Sequence, residues 1–136
     1  TFDYYLSRTR YVNNWDLVDL SAPNIVGKYL LDKERDILYR LAESDLLWDN
    51  RIAVVSTLTF IRDNDLNDTF NLALKMMLHK HDLMHKSIGW MLREAGKRDA
   101  ERLYNFVRDN KSVMPRTMLR YAIEKFDYDV RKELMS

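Results

Sequence analysis

Two residues near the start of the chain place an aromatic side chain close to a carboxylate. Trp15 and Asp19 are four residues apart in a stretch that favours a helical turn, so their side chains share one face. A fixed carboxylate beside an indole can stabilise a positive charge that develops next to it. The structural alternative stays open, because a tryptophan is most often a core residue and an aspartate near a helix start is most often a cap.

Two further clusters place basic residues close to tryptophans. Lys86, Trp90 and Arg93 follow one another about one helical turn apart. Gly89 lies between them, and a glycine in mid-helix costs about 1 kcal/mol relative to alanine. This predicts a close approach to the backbone there, by a ligand or simply by a neighbouring helix. Arg51 follows another tryptophan by three residues and is either a salt-bridge donor or a ligand contact.

The remaining residue types exclude several kinds of chemistry. The chain has no cysteine, which excludes disulfides, thiolate catalysis and zinc–cysteine sites. His81 and His85 are four residues apart, but no glutamate completes a metalloprotease motif, and no glycine-rich phosphate loop occurs. We therefore predict no metal and no cofactor.

The composition indicates packed helices that carry a local basic excess. Apolar residues make up 46% of the 136 residues, with only three glycines and two prolines, which argues against a β-sandwich or a disordered chain. No stretch approaches the ~18 apolar residues of a membrane span, and we expect a cytoplasmic, nucleoid-associated protein of bacterial type. Residues 75–120 hold eleven Lys/Arg against five Asp/Glu, an excess of six within a chain of net charge +1. Such a segment either attracts a polyanion or forms solvated helix faces.

Hydrophobic periodicity and capping signals predict helices throughout. After the turn with Trp15 and Asp19, the expected helices cover about 23–31, 33–42, 45–61, 66–79, 82–96, 100–110 and 116–126, followed by a polar tail. The segment 51–61 is β-branched like a strand, but its length and spacing favour a helix. In the helix 66–79 we expect the inward residues to be Phe70, Leu74, Met77 and Leu78.

A faint repeat organises these helices into pairs. Arg51, Lys86 and Arg116 are 35 and 30 residues apart, and each lies near the start of the second helix of a pair. Periods of this size are typical of helical-hairpin arrays. We predict one all-α, HEAT-like solenoid domain over residues 1–136, a right-handed curved array whose concave side presents a ladder of cations. Such a ladder favours DNA as the partner. Because the chain starts abruptly, we expect it to be a fragment that lacks N-terminal helices.

Taken together, these stretches resemble the DNA alkylation repair family of HEAT-like glycosylases, the AlkD type. The resemblance is carried by Trp15-Asp-Leu-Val-Asp19 followed by Ala22-Pro23, by the string Lys86-Ser-Ile-Gly-Trp-Met-Leu-Arg-Glu94, and by Trp48 to Arg51 between them. It covers about residue 14 to the C-terminus. It implies a monomeric enzyme that excises N3- or N7-alkylated purines from double-stranded DNA without a cofactor.

The same resemblance implies roles for individual residues. Asp19 would be the catalytic carboxylate, and Trp15 and Trp90 would form the aromatic walls of the lesion site. The residues expected to face the DNA backbone are Arg51, Lys86 and Arg93.

Two positions depart from the family pattern. Asn14 stands where some members carry another tryptophan, and Thr59 stands where a lysine can help to hold the DNA backbone. The second departure predicts weaker affinity. The rival hypothesis is a non-catalytic helical-repeat module that binds DNA or protein through the same concave face.

Overall fold

The computed structural model describes residues 22–136, and every regular element in that part of the chain is helical. A π-helical segment, Pro23–Gly27, runs directly into α1. The α-helices are α1 (Lys28–Leu30), α2 (Asp36–Glu43), α3 (Leu47–Arg62), α4 (Asn67–Lys75), α5 (Asp82–Arg98), α6 (Ala100–Asn110), α7 (Arg116–Ala122) and α8 (Tyr128–Met135). The predicted all-α fold is confirmed, and the β-branched segment 51–61 is helix.

The helices pack as successive pairs. α2 packs against α3, α4 against α5, and α6 with α7 flanks α5. The second members of these pairs are neighbours, since α5 contacts α3 on one side and α7 on the other. This arrangement is consistent with a helical-repeat fold. The handedness and curvature of a solenoid stay predictions.

Two groups of buried apolar side chains hold the helices together. One lies under the α2–α3 hairpin and the π-helical segment, and the other extends from α3 through α5 to α8. Trp90 on α5 is only partly buried and packs against both groups. It therefore lies at the junction of the two parts of the core. No helix within residues 22–136 combines the length and apolarity needed to cross a membrane.

The π-helical segment, which begins four residues after Asp19, is pressed against α3. The Thr59 hydroxyl donates a hydrogen bond to the Pro23 carbonyl. A Cβ added at Gly27 would lie 2.5 Å from Thr59 Oγ1 and 2.7 Å from the Ser56 carbonyl oxygen, so only a glycine permits this approach. Thr59, noted as a departure from the family pattern, therefore has a structural role here.

Several helix ends differ from the prediction. α2 begins at Asp36 instead of residue 33, because Arg35 precedes it in a non-helical conformation and is occupied by contacts with other elements. α7 ends at Ala122 instead of residue 126. α5 runs past Gly96, where the predicted helix ended, to Arg98. The function of Gly96 is packing, because an added Cβ would lie 2.3 Å from Leu103 Cδ2.

Two predictions about side-chain burial and helix content were wrong. Leu74 and Leu78, expected to point inward, are 52% and 79% exposed. Phe70 and Met77 are buried as expected, but α4 ends at Lys75, and Met76 is buried in addition. The expected polar tail contains α8, which is attached to the core chiefly through one buried side chain, Leu134.

Candidate nucleic-acid interface

Four of the residues singled out from the sequence line one cavity. Arg51 on α3 and Lys86, Trp90 and Arg93 on α5 surround a space of about 310 Å³. The three α5 residues are spaced by four and three positions, so a single face of that helix carries all of them. The structure therefore brings these four residues together, and their roles towards DNA stay predictions.

Arg51 is the most buried member of the cavity. Arg51 is only 8% exposed. Its Nη1 donates one hydrogen bond to the Leu83 carbonyl oxygen at 3.0 Å and another to the Ser87 hydroxyl. The Ser87 hydroxyl in turn donates to Leu83 O at 2.9 Å. These bonds fix the guanidinium between α3 and α5 at the inner edge of the cavity. Its expected contact with a DNA phosphate stays a prediction.

Trp90 forms the aromatic wall of the cavity, and the structure adds a second aromatic residue. Tyr121 on α7 lines the same space and is 38% exposed. α7 is also the neighbour that approaches Gly89, since a Cβ there would lie 2.5 Å from Tyr121 Cβ and 2.8 Å from the Met118 carbonyl oxygen. The glycine is thus explained by helix packing. Sequence reasoning missed Tyr121, although its position one helical turn after Met118 on a second helix of a pair was a usable signal.

Lys86 and Arg93, which line the same cavity, each form an ion pair with an acidic side chain. Lys86 Nζ is 3.7 Å from Asp82 Oδ2, and the lysine side chain is 44% exposed. Arg93 Nη1 donates to Glu124, while Arg93 Nε is buried and has no hydrogen-bond partner among residues 22–136. Exposed ion pairs contribute about 0–1 kcal/mol each. Asp82 therefore orients the exposed Lys86 without neutralising it strongly, whereas Arg93, whose side chain is only 21% exposed, is held more firmly by Glu124.

The third predicted rung of the cationic ladder is absent from the cavity. Arg116 donates from Nη1 to the Met135 carbonyl oxygen at 3.1 Å and so contacts the end of α8. Arg116 begins α7, whereas the cavity is lined by Tyr121, more than one turn further along that helix. The row of cations along a concave side stays a prediction.

The histidines near the α4–α5 connection have local structural partners. His79 Nε2 is 3.0 Å from Asn50 Oδ1, and His79 Nδ1 accepts from the backbone N–H of His81. Burial lowers the pKa of His79 below its usual value, and the neighbouring His85 and His81 lower this pKa further. Over residues 22–136, no three His, Asp or Glu side chains are grouped as a metal site would require.

The other half of the expected site lies outside the described residues. Trp15 and Asp19 precede residue 22, so the structure does not show where they lie relative to the Trp90 cavity. Their roles stay predictions that rest on the sequence.

Comparison with protein families identifies the class to which this chain belongs. The family of DNA alkylation repair enzymes matches residues 1–126, so the chain is a member of that family. A comparison with curated proteins found no match. The family match begins earlier than the resemblance noted in the sequence, which started near residue 14, and it ends within the turn after α7. Membership gives the protein a role in DNA alkylation repair, with DNA as its substrate.

Proposed function

We propose that this protein is a DNA glycosylase that removes positively charged N3- or N7-alkylated purines from double-stranded DNA. The observation that carries the proposal is the cavity in which Trp90 lies among three cations, Arg51, Lys86 and Arg93, in a member of a DNA repair family. Cations are suited to the phosphates of the DNA backbone. The indole is suited to a cationic base or to an electron-poor sugar.

The reaction requires little catalytic equipment. Alkylation at N3 or N7 makes the purine cationic, so the base departs as a neutral molecule with the electron pair of the glycosidic bond. The sugar is left with oxocarbenium character, and a water oxygen then bonds to C1′ and releases one proton. Stabilisation of the cationic sugar is the main demand on the protein, as in other glycoside cleavages.

We assign the stabilisation of the cationic sugar to Asp19, because it lies in the segment Trp15-Asp-Leu-Val-Asp19, which resembles the catalytic segment of the family. A fixed carboxylate near C1′ supplies the electrostatic stabilisation and can accept the proton of the attacking water. Trp15, on the same predicted helical face, would flank the sugar opposite Trp90. The π-helical segment that follows Asp19 in the sequence is anchored to α3 by the hydrogen bond from Thr59 to the Pro23 carbonyl.

The decisive experiment compares Asp19→Asn with Asp16→Asn in the full chain. Both changes remove one negative charge from the same short segment, but only the first removes the proposed catalytic group. We expect Asp19→Asn to abolish release of 7-methylguanine from methylated duplex DNA while DNA affinity is unchanged or increased. Asp16→Asn should release the base at close to the wild-type rate. Equal release by Asp19→Asn and the wild type would overturn the assignment.

A variant at the described part of the site tests the cavity independently. Trp90→Phe keeps an aromatic ring and most of the core packing, whereas Trp90→Ala removes both. If the indole faces the lesion, base release falls further than duplex affinity in both variants. The rival binding-module hypothesis predicts that the wild type binds duplex DNA and releases no alkylated base.

A further inference from the structure

A second basic cavity lies beside the first. It has a volume of about 170 Å³ and is bounded by the end of α5, the start of α6 and the turn after α7. Its cationic members are Arg93, Lys97 and Lys125, and Gly96 contributes part of its wall. A water molecule occupies roughly 30 Å³ in the liquid, so the space accommodates a phosphate group with some of its hydration.

Arg93 connects the two cavities. The same side chain lines the Trp90 cavity and the second cavity, so the two spaces are adjacent along the last two turns of α5. Lys97 follows Arg93 by one helical turn and continues the row that starts at Lys86 and Trp90. A nucleic-acid strand that passes Trp90 and Arg93 therefore meets Lys97 and Lys125 next.

The two lysines are available to a ligand. Lys97 Nζ is 2.8 Å from Glu94 Oε2, but its side chain is 49% exposed, and a pair of this kind contributes about 0–1 kcal/mol. Lys125 lies in the exposed turn after α7, and it forms no ion pair with an acid between residues 22 and 136. A phosphate would thus gain two cations without breaking a strong internal contact.

We propose that Lys97 and Lys125 form a second phosphate site, which holds the DNA backbone next to the segment bound at the Trp90 cavity. The site extends the interface from α5 to the turn after α7 and adds affinity that does not depend on base sequence. This proposal depends on the proposed function in one respect, which is that DNA is bound at the Trp90 cavity. Its ligand chemistry is that of a phosphate diester, and free inorganic phosphate is the alternative source of the same group.

The test measures how duplex affinity depends on salt in the full chain. Each phosphate contact contributes about 0.9 to the slope of log K against log salt. We expect Lys97→Gln with Lys125→Gln to lower the slope by about 1 to 2. The matched control is Lys33→Gln, because Lys33 is also 49% exposed and paired with a neighbouring acid, Asp32. Lys33→Gln should leave the slope unchanged.

Two results would overturn the proposal. The first is an unchanged slope for DNA in the double variant, including the case in which the cavity binds inorganic phosphate, seen as shifts of the lysine NMR signals. The second is an equal loss of slope in Lys33→Gln. If the wild type releases no alkylated base and the slope still falls in the double variant, the glycosylase assignment fails and the second phosphate site stands.

Discussion

Arg51 on α3 and Ser87 on α5 are joined by a hydrogen bond from the guanidinium to a hydroxyl that is 1% exposed. The Ser87 hydroxyl donates a hydrogen bond to Leu83 O one turn earlier in α5, and Arg51 donates to the same carbonyl, so the arginine and the serine form one short network between the two helices. Ser87, which itself lines the Trp90 cavity, therefore positions the Arg51 guanidinium at the inner edge of that cavity.

Ser87→Ala should weaken this connection. The variant leaves the Arg51 guanidinium with the Leu83 carbonyl as its α5 acceptor, and loss of a buried bond to a charged group costs about 1–3 kcal/mol. We expect that decrease in the free energy of unfolding from urea denaturation, together with weaker binding to duplex DNA. Ser112→Ala is the control, because Ser112 is exposed and lies between α6 and α7. A decrease of the same size in the control would argue against the network.

Gly89→Ala and Gly96→Ala should differ, although both raise helix propensity by about 1 kcal/mol. At Gly89 the new Cβ meets Tyr121 Cβ and a backbone carbonyl oxygen, neither of which can move without displacing α7. At Gly96 it meets the Cδ2 end of Leu103, which can rotate. We expect Gly89→Ala to lower the melting temperature and Gly96→Ala to lower it less. Overpacking costs about 1–3 kcal/mol, and the reverse order of the two variants would contradict this interpretation.

Arg35 connects three elements, and a lysine cannot replace it. Its Nη1 is 2.5 Å from Asp68 Oδ2 on α4, and its Nε and Nη2 donate to the carbonyls of Leu30 and Leu31 at the end of α1. The guanidinium also lies 3.7 Å from the centre of the Phe60 ring. A lysine keeps the charge but cannot make this fork of bonds.

We therefore expect Arg35→Lys to lower the free energy of unfolding by about 1–3 kcal/mol. The matched control is Arg40→Lys on α2, since Arg40 is exposed. Guanidinium chloride denaturation of both variants provides the comparison. Equal stability of Arg35→Lys and the wild type would show that charge alone is sufficient at residue 35.

Stability should decrease in mild acid because of His79. Its pKa in the folded protein is lowered from 6.5, first by burial and then by His85 and His81. The unfolded chain then binds more protons than the folded one below about pH 6.5, so the free energy of unfolding is highest above that pH and falls as the pH drops towards the folded-state pKa. An NMR titration of the His79 ring should give a midpoint below 6.5, and His79→Gln should reduce the pH dependence. A midpoint above 6.5 would reverse the expected sign.

The helical order of the chain was predictable because local signals and core packing agree. The helices expected at about 82–96 and 100–110 are present as α5 and α6, where His81 accepts from the Leu83 N–H and Asp99 accepts from the Arg102 N–H as N-caps. The cavity was partly predictable for a similar reason, since Lys86, Trp90 and Arg93 share a helix and helical spacing alone puts them on one face.

What escaped prediction depends on contacts between distant segments. Tyr121 and Lys125 reach their cavities only because α7 lies against α5 at Gly89, and no local pattern specifies that approach. The late start of α2 likewise depends on Asp65 and Asp68, which are 30 and 33 residues from Arg35. α8 was missed because a single fully buried leucine gives almost no periodic signal.

The close contact at Gly89 has a consequence for the cost of recognition. Trp90 directly follows Gly89 and packs against both parts of the core, so folding has already restricted its rotamers before any ligand arrives. Immobilising a flexible side chain at an interface costs about 0.5–1.5 kcal/mol of conformational entropy. Because the Trp90 ring loses that freedom on folding, a ligand that stacks on it would not have to provide this entropy cost again.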